Sequence, residues 1–322
     1  MQISLPKKTP IFLIQLLLSL SIMIYLITYI DFERVRFIVP RLRMQYVWCA
    51  FCLLLATNLA VSMRWSMLLK HFKIRQKVID SWRYYMIGAY YSILLPGVIS
   101  GDAVRLGLSL KAHRNHKALL TASILFERYC GFLIIVTMAS AASALVPILL
   151  EGEQSIAKLI IWFTLAVLAS FLLFFVLVKN GPKRWFQKTV ALSSWKQTII
   201  DLIGHFRTAT LRLLASLLLL SALAHFLDIL GSFFLSKALH IDQPFSVFLL
   251  IMPLVYVVTI LPISIGGIGV REGVLTFFMI KVGVLASDAV LLAFVIYLNR
   301  LCVALIGGFM HFVKRTKGFD QK

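Results

Sequence analysis

Apolar residues in this chain come in long blocks rather than in alternation. Six blocks reach the roughly 20 residues that a helix needs to cross the hydrocarbon of a bilayer: 9–30, 44–69, 119–150, 156–178, 211–239 and 287–312. Polar positions gather between them, and no wet face recurs within a block at a period of 2 or 3.6, as expected where lipid is the solvent on every side. Two further apolar stretches, 84–110 and 245–284, are broken near their middles. The pattern predicts an all-α integral membrane protein with six full transmembrane helices and two interrupted helical hairpins.

The two breaks are alike. Leu95-Pro96-Gly97-Val98-Ile99-Ser100-Gly101-Asp102-Ala103-Val104-Arg105 is matched by Leu261-Pro262-Ile263-Ser264-Ile265-Gly266-Gly267-Ile268-Gly269-Val270-Arg271, an offset of 166. Flanking blocks keep nearly the same offset, about 167 from 44–69 to 211–239 and about 168 from 119–150 to 287–312. Proline ends each first arm because it lacks an amide proton and clashes with the preceding turn. Gly97, Gly101, Gly266, Gly267 and Gly269 permit the turn, and Ser100 is an expected N-cap. Irregular backbone cannot face lipid, so each tip must be buried in protein or line a wet cavity. Each second arm presents free N–H groups and a positive dipole end, with Arg105 or Arg271 about one turn in, a setting suited to phosphate. Paired broken helices in corresponding positions point to a transport site between inverted repeats. The repeats are 1–150 and 151–322, within a single membrane domain.

Composition agrees and charge sets the orientation. The chain of 322 residues is 60% hydrophobic and 14% charged, with mean hydropathy +0.91. The net charge of +20 does not read as a nucleic-acid footprint. With the N-terminus cytoplasmic and both hairpins re-entrant, 22 of the 33 Lys and Arg fall on the cytoplasmic side and six outside. That is the positive-inside distribution, and it puts both termini in the cytoplasm of a multi-pass cell (inner) membrane protein. The first half then runs up, down, hairpin, up, and the second runs down, up, hairpin, down. Lys7 and Lys8 precede an apolar block too long for a cleavable signal, so it reads as an anchor. The linker 179–212 mixes seven basic residues with Trp185, Phe186, Trp195 and Phe206, which suits a helix lying on an anionic surface. Cys49, Cys52, Cys130 and Cys302 sit in apolar blocks and form no disulfide or metal pattern.

Ionisable residues inside spans are costly and mark function or pairing. Arg64, Glu127, Arg128, His225, Asp228 and Arg300 are such residues, and His225 and Asp228 share a helix face at i,i+3. Arg105 and Arg271 have local partners in Asp102 and Glu272, so a purely structural pairing is the competing reading. No nucleophile accompanies His225 and Asp228 in sequence, and no metal, P-loop or dinucleotide motif occurs. No cofactor and no catalytic residue is assigned.

These motifs resemble the transmembrane region of the lysylphosphatidylglycerol synthases, also called flippase-like domain proteins. Matching features are Arg64-Trp65, Leu95-Pro96-Gly97 with Ser100-Gly101-Asp102 and Arg105, Glu127-Arg128, and Pro262 through Glu272. The family often shows Gly-Gly-Asp or Gly-Glu where this chain has Ser100-Gly101-Asp102. The resemblance covers essentially the whole chain and implies lipid handling. In fused members this region is thought to move an aminoacylated lipid made by a cytoplasmic domain. No such domain follows Lys322 here, so lysyl transfer is not carried over.

The expected function is therefore that of a flippase-like lipid transporter. The expected partner is a membrane lipid with an anionic or zwitterionic head group. Arg105 and Arg271 would hold phosphate, with Asp102, Glu272, Ser100, Gly101, Gly266 and Gly267 shaping the tips, and Arg64, Glu127, Arg128, His225, Asp228 and Arg300 pairing or gating. The alternative is a membrane enzyme, or a partner of a lipid-biosynthetic enzyme, acting on lipid-linked sugars.

Overall fold

The computed structural model describes residues 9–95, 100–145, 154–180, 204–260, 264 and 267–317, and the described residues are all-helical. The helices are α1 (Thr9–Ile27), α2 (Phe32–Ile38), α3 (Met44–His71), α4 (Val78–Leu94), α5 (Ser100–Ala112), α6 (Lys117–Leu145), α7 (Gln154–Asn180), α8 (Leu211–Ala238), α9 (Phe245–Ile260), α10 (Val270–Lys281) and α11 (Ala286–Lys317). Four of them, α3, α6, α8 and α11, are long and apolar enough to cross a membrane, and a fifth candidate is the α1–α2 pair, bent by 77°. Apolar side chains such as Trp162, Leu219, Leu298 and Phe309 face outward, more than half exposed. Lipid is the medium in which such a surface is stable, and the chain is a multi-pass membrane protein.

Both interrupted stretches are interrupted. The first stops at Leu94 and restarts at Ser100, and α4 packs on α5. The second stops at Ile260 and restarts at Val270, and α9 packs on α10. Close backbone contact closes the first pair: a Cβ on Gly101 would stand 2.5 Å from the Gly88 carbonyl oxygen. The second restart needs left-handed backbone at Gly267 (φ 79°) and Gly269 (φ 84°), which only glycine takes without strain. Pro96, Gly97, Pro262 and Gly266 lie outside the described residues.

Exchanging α3 with α8, α4 with α9, α5 with α10, and α6 with α11 maps the packing of these eight helices onto itself. α4 packs on α11 and α9 on α6; α3 packs on α11 and α8 on α6. The central contact is α3 against α8, where Thr57 donates to the Ala224 carbonyl at a separation of 167. Gly231 brings the two backbones close, since a Cβ there would be 3.6 Å from the Ala50 carbonyl oxygen. The outer helices depart from this rule: α7 packs on α6, whereas α1 packs on α10. α2 is tied to the start of α11 by a bidentate Arg34–Asp288 pair at 2.5 and 2.6 Å. Two large apolar cores result, beside a small third cluster of Leu54, Met86 and Val303. One gathers Trp65, Leu69, Phe72, Leu120 and Phe126; the other gathers Ile229, Phe248, Ile251, Met279 and Leu292.

Candidate functional site

Each half holds one polar cluster, and the two are built from corresponding helices. In the first, Arg64 of α3 meets Glu127 of α6, with Nη2 2.8 Å and Nε 3.2 Å from Oε1. Its Nη1 donates to Ser221 across the half boundary at 2.7 Å. Arg105 of α5 reaches Glu127 Oε2 at 3.0 Å and Asp102 at 3.3 Å. Tyr85 of α4 donates to Glu127, and Arg128 pairs with Asp102. The Arg105 guanidinium also lies over the Trp65 and Tyr85 rings, 4.6 and 4.1 Å from their centroids. Trp65 is held in place by Ser123, to which its indole donates at 2.9 Å. Arg105 is 2% exposed and Glu127 2% exposed, so this cluster is closed.

The second cluster carries the same helix pairing with the charges exchanged. The carboxylate now stands on α8, as Asp228, and the cation on α11, as Arg300, at positions that are not the repeat counterparts of Arg64 and Glu127. Arg300 Nη2 stands 2.7 Å from Asp228 Oδ2. Tyr256 of α9 donates to the same oxygen at 2.6 Å, as Tyr85 of α4 does to Glu127. Arg271 of α10 gives Nη2 (2.6 Å) and Nε (3.0 Å) to Glu272 and lies over the Tyr297 ring at 5.5 Å. Glu272 is fully committed, because its other oxygen accepts from the Gly269 N–H at 2.8 Å.

This second cluster is open. A cavity of about 250 Å³ lies between the halves, lined by Asn58, Ser92, Ile268, Arg271, Tyr297 and Arg300 among others. Arg300 Nε has no acceptor among the described residues. Arg271 and Arg300 stay paired with Glu272 and Asp228, so what the cavity offers an incoming group is N–H donors, Arg300 Nε among them, rather than net positive charge. Arginine forks of this kind match the oxygens of a phosphate. The described residues contain no group of His, Cys, Asp and Glu that would hold a metal.

Several expected site residues stand elsewhere than their sequence context implied. Arg105 does not line the cavity; it is caged by Trp65, Tyr85 and Glu127. Arg64 is buried, 7% exposed, beside an entirely buried Trp65. The Ser100 hydroxyl donates to the Leu95 carbonyl at 3.3 Å. His225 and Asp228 share a face but serve different clusters: His225 packs near Arg64 at Gly131, where a Cβ would meet both side chains at 3.6 Å, and Asp228 serves Arg300. Gly101 and Gly267 shape the hairpins, and Asp102 and Arg128 form a pair at the rim of the closed cluster. Sequence reasoning missed Tyr85, Tyr256 and Ser92. The tyrosines stand 171 apart, more than a helical turn off the motif's offset of 166, so the repeat did not point to them.

The family model of the lysylphosphatidylglycerol synthase TM region matches residues 12–308. No curated protein and no solved structure matches the chain.

Proposed function

The chain belongs to the lysylphosphatidylglycerol synthase TM-region family, and from that premise we propose that it is a flippase-like transporter of a phosphate-bearing lipid. The observation that carries this reading is the cavity between the halves, with Arg271 and Arg300 facing it and no carboxylate left free. The head group sits there with its phosphate on the two guanidinium groups and its tails in the bilayer.

The proposal includes the architecture. Residues 1–150 and 151–322 are inverted repeats, six helices span, and the two hairpins are re-entrant from opposite sides, with both termini in the cytoplasm of the cell (inner) membrane. Transport exchanges the states of the two repeats. The closed cluster around Arg105 opens to one leaflet as the open cluster around Arg271 closes. Closure of the helix packing under exchange of the halves supports this, as does the repetition of the cation–carboxylate–tyrosine set. Both states then keep every buried charge paired, which limits the cost of moving charge through a low-dielectric interior.

The test is lipid movement in proteoliposomes reconstituted with fluorescent phosphatidylglycerol. Arg271→Gln and Arg300→Gln each remove a charge-assisted contact worth about 1.5–3 kcal/mol, which lowers transport or affinity about ten- to a hundred-fold. Lysine at either position restores only part, because it lacks the planar fork. Wild-type transport by the double glutamine variant, at matched expression, refutes the site.

A further inference from the structure

A second cleft, of about 580 Å³, opens between α4, α5 and α11, away from the cavity just described. Its lining combines Ile87 and Leu108 with Arg83, Tyr84, Lys111 and His311. Arg83 lies inside α4, half-buried, and Lys111 stands next to the last residue of α5. Neither forms an ion pair among the described residues. Arg83 is thus drawn partly out of water without an ion-pair partner, which is unfavourable, whereas Lys111 is exposed and keeps its charge in water beside the cleft. Here two cations flank an apolar floor, since Ile87 is 3% exposed. The volume falls in the range of small-molecule sites.

The cleft and the central cavity share one seam. Along α4 and α11, Ile87 and His311 line the cleft, whereas Ala89, Ser92 and Ala304 line the cavity. Between them α11 touches α4 through two glycines. A Cβ on Gly307 would stand 1.9 Å from the Met86 carbonyl oxygen, and one on Gly308 2.7 Å from the Tyr90 ring. The two spaces are therefore neighbours separated by a tight backbone contact.

We propose that this cleft is a separate binding site for an anionic phospholipid from the adjoining leaflet, with Arg83 and Lys111 on the phosphate and the acyl chains against Ile87 and Leu108. It does not require the transport reading; it requires only that the chain sits in a bilayer.

The test is native mass spectrometry of the purified full-length chain titrated with phosphatidylglycerol, phosphatidylcholine or inorganic phosphate. Two phosphatidylglycerol adducts are expected. Arg83→Gln with Lys111→Gln weakens one about thirty-fold, roughly 2 kcal/mol at 1.4 kcal/mol per decade, as two surface cations at about 1 kcal/mol each predict. Arg271→Gln with Arg300→Gln removes the other and leaves the first. Unchanged phosphatidylglycerol affinity in the cleft variant overturns the proposal, as does equal affinity for phosphatidylcholine. Competition by inorganic phosphate at the lipid's own affinity also overturns it, because the cleft would then be a site for a free anion. If the cleft variant loses its adduct while no variant alters transport, the cleft site stands and the transporter reading falls.

Discussion

Neutralising Glu127 should be the most damaging single change to the closed cluster. Glu127 is buried and receives Arg64, Arg105 and Tyr85 at once. Glu127→Gln leaves Arg105 with Asp102 alone, at 3.3 Å and shared with Arg128, and leaves Arg64 with no carboxylate among the described residues. Removing one partner of a buried pair costs about 3–5 kcal/mol, because the remaining charge has lost its compensation. At roughly 2–4 °C per kcal/mol, the unfolding midpoint should fall by about 6–20 °C. Tryptophan fluorescence during heating of the detergent-purified protein reads this directly, since Trp65 lies within the cluster. Adding Arg64→Met to Glu127→Gln should recover part of the loss, with a coupling of about 0.5–3 kcal/mol in the double-mutant cycle. Asp228→Asn should cost less, because the Asp228 and Arg300 side chains are 15% and 27% exposed and border a cavity that admits water. An unshifted midpoint for Glu127→Gln, or a larger shift for Asp228→Asn, would show that the closed cluster is not held by its charges.

Gly307→Ala should push α11 off α4 and destabilise by about 1–3 kcal/mol or more, as overpacking does. Gly107→Ala, where no atom lies within 4 Å of the added methyl, should instead stabilise by up to about 1 kcal/mol of helix propensity and so raise the midpoint. Arg34→Ala breaks a pair whose arginine is 40% exposed, so the expected loss is only about 1 kcal/mol; limited proteolysis near α2 should detect it as faster cleavage. For orientation, cysteines placed in a cysteine-free background should label from outside at position 152, and only after permeabilisation at 190 and 318. The opposite pattern at any of them inverts the proposed topology.

Much of the helix inventory was legible because lipid imposes one rule on every span: long, apolar and unbroken. The two breaks were legible too, since Pro96 and Pro262 within apolar runs leave the backbone little choice. What could not be read was which arginine faces a cavity. Arg105 and Arg271 occupy matching places in the repeated motif, yet Trp65 and Tyr85 cover one and only Tyr297 approaches the other. That difference is set by aromatic residues on other helices, far away in sequence. The match between the Arg64–Glu127 and Asp228–Arg300 pairs was hidden for a related reason: the pairs share helices but not repeat positions, since the counterparts of Arg64 and Glu127 are Gly231 and Val295. The bend between α1 and α2 was also missed, because the block 9–30 and the polar residues after it read as one span and a loop.

Thr57 and Ala224 meet at the crossing of α3 and α8, and they are counterparts of each other under the same offset that relates the two halves. A contact between counterparts is what two identical subunits make at their symmetry axis. Helices α3–α6 and α8–α11 thus meet as two like subunits would, with the α3–α8 crossing as the broadest contact between them. Two co-expressed fragments divided between α7 and α8 should therefore find each other in the membrane through that crossing.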